Sequence, residues 1–478
     1  MCLPKDLKGA TIQRIATIVG NILCLNFGIM LGITPAHMRL YMDEQTPLNH
    51  IANVDDVTWI CSSVFISAAL SAVFSGYLVE KIGPKGVLLL SGLLQISSWF
   101  CMHFAFDILH IYSSRIMAGM AAGAALTALP IFITEIAEEN NSGALITTIE
   151  QWRTMGILIG FLLGQHLQYD YVAVVAVCIS CAFTILFSFS QESPYFYMRR
   201  GDVPRLEKSL RWFRGVRSID DRNRPEFLCE LGGFKSNMET CVIAQEHVPC
   251  VYLCKATLCT LVLFVGVQLS GIYVILAWSD LILMNDVFVN CPTDISASIL
   301  ALVQFVAATI TVWLAPVVRR RMLLFVSALT CGFASICLAI CVALEVKEEL
   351  RWFASILLLL HVFFANLGMY PLISLLPSEM LASKLRVTLT SVSWGFSWLI
   401  TFILVHYFQS FESAIGLHGY FIIFGVGCVS IALLALFALP ETLGKSLEEL
   451  QHRWGYGSES GISKNNVPQI GQIHLERY

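Results

Sequence analysis

Glu150 and Arg153 stand three residues apart in an otherwise apolar stretch, 143–169. An acid and a base at that spacing share one helix face and can form an internal ion pair. Ionisable residues within an apolar span also mark function by default, so the two can instead orient a polar or zwitterionic solute, Glu150 accepting and Arg153 donating. The spacing leaves both readings open. Other charges gather in short clusters: Glu80-Lys81-Ile-Gly83-Pro84-Lys85, Glu135 to Ser142, Gln191-Glu192-Ser193, Arg319-Arg320-Arg321, Glu379 to Arg386, and Pro440-Glu441-Thr442. Such clusters suit ionic contacts between chain segments more than bond-making chemistry. No metal-ligand cluster, phosphate loop or nucleophile–base arrangement is visible, and Gly119/Gly123 read as helix-packing glycines. An enzyme is therefore the least supported class, and no cofactor or metal is expected. His37, His103, His166, His361 and His406 read as polar helix residues or interface anchors in preference to a proton relay.

The elements that hold these residues must cross a bilayer. Charged residues make up 13% of the 478, and hydrophobic residues 56%, with mean hydropathy +0.70. Soluble domains carry about 25% charge, so this chain cannot cover a globular surface and must face lipid. Nucleic-acid-binding, collagen-like, disulfide-rich and disordered classes are excluded together. Apolar runs cover 15–38, 57–79, 86–106, 116–134, 171–191, 256–279, 295–318, 322–344, 352–378, 387–411 and 413–440, and 143–169 supplies a twelfth. About 20 residues cross a hydrocarbon core as a helix, whereas barrel strands alternate and are about half as long. Twelve helices are predicted, six on each side of a hydrophilic stretch.

Lys and Arg collect at alternate junctions: Lys5 to Arg14, Lys81 and Lys85, the central stretch, Arg319 to Arg321, Lys384 and Arg386, and the tail. Only Arg39, Lys347 and Arg351 fall on the other side, which places both termini in the cytoplasm by the positive-inside rule. The first apolar run is too long for a signal core and reads as an uncleaved anchor. Cys291 is the one cysteine expected in an outer loop, so no outer intrachain disulfide is expected, and Cys178/Cys181 and Cys250/Cys254 read as helix and loop residues. The sequon Asn140-Asn141-Ser142 faces the cytoplasm, and the polar tail beyond about Gly455 is expected to be disordered.

The charge clusters repeat: Glu135 and Glu379 follow the fourth and tenth spans, Glu192 and Glu441 the sixth and twelfth, and the loop at Gly83 has a counterpart at Arg319 to Arg321. Repeated six-span halves belong to proteins that rock around a site near the midplane. The expected units are 1–191, 192–255, 256–440 and 441–478. All the clusters fall on the cytoplasmic face, where ionic contacts can hold the halves together. Gly368 to Pro371 and Pro377 interrupt the tenth span, and Gly266 and Gly271 are expected to loosen the seventh.

These motifs resemble those of the sugar porter family of the major facilitator superfamily, most closely its insect trehalose and glucose transporter branch. The likeness runs from about residue 15 to 450. Gly76-Tyr-Leu-Val-Glu80-Lys81-Ile-Gly83-Pro84-Lys85 is similar to the family's loop after the second helix. Arg115-x-x-x-Gly119 with Pro130 and Glu135 is similar to its fourth-helix pattern, Glu192-Ser193-Pro194 to P-E-S-P, Gln268-Leu-Ser-Gly271 to Q-Q-x-S-G, and Pro440-Glu441-Thr442-Leu-Gly444-Lys445 to P-E-T-K-G. The resemblance implies a facilitator fold with a short cytoplasmic helical segment. It also implies a network of Gly76, Glu80, Lys81, Gly83, Lys85, Arg115, Glu135, Glu192, Glu379, Arg386 and Glu441, and a polyol site in which amides and indoles answer hydroxyls. Gln268 and Trp398 are kept there. Val267, Tyr273, Gln304, Ser374, Ser397 and Glu150 replace other family residues. The acid of proton-driven members is Met30 here, which implies facilitated movement.

The leading expectation is a cell-membrane facilitator of a sugar-like solute, with the lipid bilayer as its surroundings and no nucleic-acid or obligate protein partner. Alternatives are a carrier of a non-sugar organic solute and a non-transporting sensor on the same fold.

Overall fold

The computed structural model describes residues 5–44, 46–216, 225–243, 250–289, 292–381 and 383–445. Cys291 and the tail from 446 on, including Ser446 to Glu449 of the last motif, lie outside them. Among the described residues the chain is all helix, with ten helical stretches long and apolar enough to span a membrane. One of these, Val54–His103, is two spans merged across a break at Gly83, where φ is +85°. Glu139–His166 carries Glu150 and Arg153 and is long enough to span despite them. Together they make twelve spans, as the sequence predicts: the first Lys5–Gly32, the second and third on either side of Gly83, the fourth Ile108–Ile136, the fifth Glu139–His166 and the sixth Tyr169–Ser188. Short amphipathic helices Pro194–Arg199, Val203–Phe213 and Pro225–Ile243 follow and share a small apolar core of their own, including Leu206, Leu210 and Phe227.

The seventh span begins as Cys250–Gln268 and resumes as Ile272–Ala277 after a break at Gly271, φ +76°. Thr293–Leu314, Arg320–Ala343, the three-part tenth span, Ser383–His406 and Phe408–Phe437 complete the second half. The tenth span runs Arg351–Phe364, widens into a π turn at Ala365–Met369, and continues as Tyr370–Met380. The π turn precedes Pro371, whose ring would clash in a regular turn. Pro377 lies in unbroken helix. Gly266 also lies in regular helix, where an added Cβ would meet Ile431, so it is a packing position. The expected loosening is carried by Gly271 alone, because only that residue takes the left-handed backbone.

Lipid offers no hydrophobic drive to bring helices together, so close approach depends on small residues. Gly28 and Gly32 of the first span face Gly156 and Gly160 of the fifth with no room for a methyl between the backbones. The first span thereby fixes the fifth, and with it Arg153. Large apolar side chains such as Phe74, Phe189, Trp313, Phe333 and Phe437 point outward, as a lipid-facing surface requires.

Candidate functional site

Where the two halves meet at mid-depth, an aromatic cluster joins five spans. The Trp398 ring lies 6.1 Å from Phe27, 5.9 Å from Phe65 and 5.2 Å from Tyr273, and stacks on Trp394 at 5.4 Å. Tyr273 and Tyr370 contact edge to face at 5.8 Å. Into this cluster projects Arg153, its guanidinium 5.2 Å from the Tyr273 ring and 5.6 Å from Tyr370. Its Nε donates to Glu150 Oε2 at 2.9 Å, and its Nη2 to Oε1 of the same carboxylate. The intrahelical ion pair, the first of the two readings, forms. Glu150 and Arg153 bond each other, and Arg153 faces the opposite half by cation–π contact. Gln268 donates to Ser397 Oγ at 2.8 Å and accepts from the Tyr370 hydroxyl at 3.4 Å.

Several buried polar atoms nearby have no protein partner: both amide atoms of Gln304, Nε1 of Trp394 and of Trp398, Arg153 Nη1, Thr390 Oγ1 and Asn366 Oδ1. The register set by Gln151–Thr309 and Gln165–Ser298 puts Gln304 about one turn from Arg153. Orphaned buried amides and indoles are costly, and here they concentrate on spans facing the interface. Trp394, Thr390, Asn366 and Tyr370 are not among the residues singled out from sequence. The four-residue spacing of Thr390, Trp394 and Trp398, one face of one helix, was the available signal.

The break before Ile272 frees the Ser270 carbonyl, which is held by His361 Nε2 at 2.9 Å. His361 Nδ1 lies 3.3 Å from Cys331 Sγ. His361 is thus a buried hydrogen-bonding anchor, as its sequence reading had it.

At the Lys/Arg-rich end, Lys85, Glu135, Glu192, Glu379 and Glu441 of the predicted set make contacts that repeat between halves. Glu192 accepts from the backbone N–H of Lys85 at 3.0 Å and of Ser193 at 2.9 Å, capping the third span against Gly83. Lys85 Nζ returns to the carbonyls of Ser188 (2.9 Å) and Ser190 (2.6 Å), at the end of the sixth span. In the second half Glu441 accepts from Arg320 N at 3.0 Å and caps the ninth span, while Arg321 donates to the Leu436 carbonyl at the end of the twelfth. Glu135 pairs with Arg199 at 3.1 Å and accepts from Ser193, as Glu379 pairs with Arg320 at 3.4 Å and accepts from Thr442. These ionic contacts lie within each half or between a half and the central helices. Each of these glutamates takes its partners from helix termini of its own repeat or from the central helices. The halves touch there where glycines of the first half meet side chains of the second, Gly143 against the Arg320 guanidinium and Gly76 against the Ser391 hydroxyl. Glu80 and Lys81 are exposed; Lys81 lies over the Tyr77 ring, and Arg386 donates to the Leu381 carbonyl.

Burial pushes the Glu192 carboxyl up to about 7, against the pull of its backbone donors. The folded value lies above the ordinary 4.5, so the charged form costs stability, and stability falls as pH rises through about 4.5 to 7. Glu192→Gln keeps the accepting oxygen and removes the charge. Its thermal midpoint should decline less than the parent's between about pH 5 and about pH 8, a difference on the order of 2 kcal/mol. Parallel profiles would assign the titration to another group.

At the opposite end the halves are joined by charge. Arg39 pairs with Asp280 at 3.1 Å and with Asp294 across the interface. Gln165 donates to the Asp294 carbonyl at 2.8 Å, and Ser62 lies 3.0 Å from His406 Nδ1. Arg115, deep in the first half, donates to Thr34 Oγ1 at 2.7 Å and to the Met30 carbonyl at 3.3 Å.

Residues 14–454 match the family described as Sugar (and other) transporter. Curated relatives include the facilitated trehalose transporter Tret1 of Bombyx mori, 26% identical over 96% of this chain and 90% of that protein. Tret1 of Apis mellifera ligustica is 25% identical over 93% and 88%. The fold is similar to the proton:xylose symporter XylE bound to 6-bromo-6-deoxy-D-glucose, with TM-score 0.78 at 17% identity, covering 93% of this chain and all of that one. It is similar to an inward open XylE from E. coli with TM-score 0.69 at 16% identity, again over 93% and all of that chain. A repeated six-span architecture with a family match along nearly its whole length makes this chain a membrane transporter and not an enzyme: it belongs to the sugar (and other) transporter family.

Proposed function

We propose that this chain carries a sugar or related small polyhydroxy solute down its gradient across the cell membrane by alternating access. The Lys/Arg-rich end and both termini face the cytoplasm in this reading. Residues 1–191 and 256–440 act as the moving halves, 192–255 as the cytoplasmic helical segment and 441–478 as the cytoplasmic tail. The observation that carries it is the buried, partnerless set of Gln304, Trp398 and Trp394 around the Gln268–Ser397–Tyr370 chain, at the plane where the halves meet. Amides that both donate and accept, beside aromatic faces, suit ring hydroxyls. The relatives named as facilitated trehalose transporters support the same class of cargo. Uniport is supported by Arg115, whose bonds go to Thr34 and the Met30 carbonyl and not to an acid.

Uptake of labelled glucose and trehalose into proteoliposomes, with and without a pH gradient, tests the reading. Saturable, gradient-insensitive uptake is expected. Gln268→Ala should raise the apparent substrate constant about tenfold, the loss of one or two net hydrogen bonds. An unchanged constant would place the cargo elsewhere. A non-sugar cargo is the second reading, favoured by the partnerless Arg153 Nη1. Competition by a zwitterionic solute, with none by sugars, would select it.

A further inference from the structure

Arg115 is a buried cation without a counter-charge. Its residue is 1% exposed and, among the described residues, it makes no ion pair. The titratable groups within its electrostatic reach are Tyr41, Tyr169, Cys61 and His37, none of them a carboxylate. A charged guanidinium inside a membrane protein ordinarily pairs or faces water, since burial without compensation is costly. Thr34 and the Met30 carbonyl supply dipoles to Nη1 and leave Nη2 buried with no partner.

A second partnerless group stands beside it. His37 is one helical turn beyond Thr34, is 3% exposed, and its Nδ1 is buried without a hydrogen bond. Its ring lies 5.0 Å from Tyr169 and 6.0 Å from Tyr41. The phenolic protons there are already spent, because Tyr41 donates to Tyr169 and Tyr169 to the Met102 carbonyl. Two buried nitrogens therefore lack partners on residues that act on each other electrostatically, and among the described residues no carboxylate acts on either.

We propose that Arg115 and His37 bind a small monovalent anion of the halide class, held by Arg115 Nη2 and His37 Nδ1–H. Arg115 lies about 10 Å into the fourth span from Ile108, at 1.5 Å per residue, so the niche is nearer the end that carries Arg39 than the Lys/Arg-rich end. Water could satisfy the hydrogen bonds but not the charge; a spherical anion does both. Divalent anions are disfavoured, because a single cation would leave one charge uncompensated in low dielectric.

The test is thermal unfolding of the purified full chain in detergent, with chloride exchanged for gluconate at constant ionic strength. This readout does not depend on which solute is carried, or on transport at all. Chloride should raise the midpoint saturably by a few degrees, and bromide should do the same, since an anion that binds only the folded state stabilises it by mass action. His37→Phe, which keeps the arginine, should weaken the apparent chloride affinity about tenfold. Met30→Asp, measured at a pH where the paired carboxylate is ionised, supplies a counter-charge beside Arg115 and should abolish the chloride response without removing the cation. Arg115→Gln should abolish it as well; should that variant not fold, the other two still decide. Identical midpoints in chloride, bromide and gluconate would overturn the proposal. So would stabilisation by acetate but not by halides, which would assign the niche to a carboxylate-bearing solute.

Discussion

Arg153→Ala is expected to cost about 3–5 kcal/mol of stability and to abolish uptake, because it strands the Glu150 carboxylate in the centre of the protein. Glu150 is 7% exposed and Arg153 1%, so water cannot take the place of the lost partner. The same truncation removes the cation that the Tyr273 and Tyr370 rings face across the interface. Thermal unfolding together with surface expression reads the first effect. Combining Arg153→Ala with Glu150→Gln leaves no unpaired charge, and most of the stability should return. Uptake by that double variant then separates two roles. Recovery would mean that the pair only holds the fifth span in shape; continued loss would mean that Arg153 reads the solute. A single Arg153→Ala variant as stable as its parent would sink the assignment of a buried, mutually dependent pair.

Met30→Asp should make uptake respond to pH. Arg115 already reaches the first span at the Met30 carbonyl and the short helix Thr34–Tyr41 at Thr34, so an acid introduced at position 30 lies within range of the guanidinium. A carboxylate in that position gains a proton whenever the arginine is drawn away and loses it when the contact is restored. An imposed inward proton gradient is therefore expected to raise the variant's uptake severalfold while leaving the parent unaffected. Uptake by the parent that follows the proton gradient would refute uniport directly.

Much of the architecture is legible in the sequence because lipid imposes a simple rule. Apolar runs long enough to cross must be helices, and twelve of them form. The breaks at Gly83 and Gly271 were signalled by a glycine beside Pro84 and by a glycine after a polar Gln-Leu-Ser run. What the sequence withheld was partnership. Glutamates at matching offsets announce a repeat, yet Glu192, Glu379 and Glu441 take partners at helix ends of their own half while Glu135 takes Arg199 and Ser193 of the central segment, a choice made by backbone geometry. Arg39 and Asp294 are 255 residues apart and carry no motif, so their meeting follows only from the packed halves. In the candidate site, Gln268 and Trp398 were read from the motifs around them, whereas Asn366 and Trp394 were missed because single polar residues in apolar helices look alike until depth and facing are known.

The contact of Arg39 with Asp280 and Asp294 is a charged link between the halves that stands partly in solvent, the Arg39 side chain being 41% exposed. The aromatic and cation–π contacts at mid-depth are shielded from dissolved ions, but a partly exposed triad feels them. Mobile ions screen charges over about 10 Å at 0.1 M and about 30 Å at 0.01 M. The halves are therefore held by one clasp that weakens as salt rises and one that does not, and the balance between open and shut at the Arg39 end is set in part by the medium that bathes it.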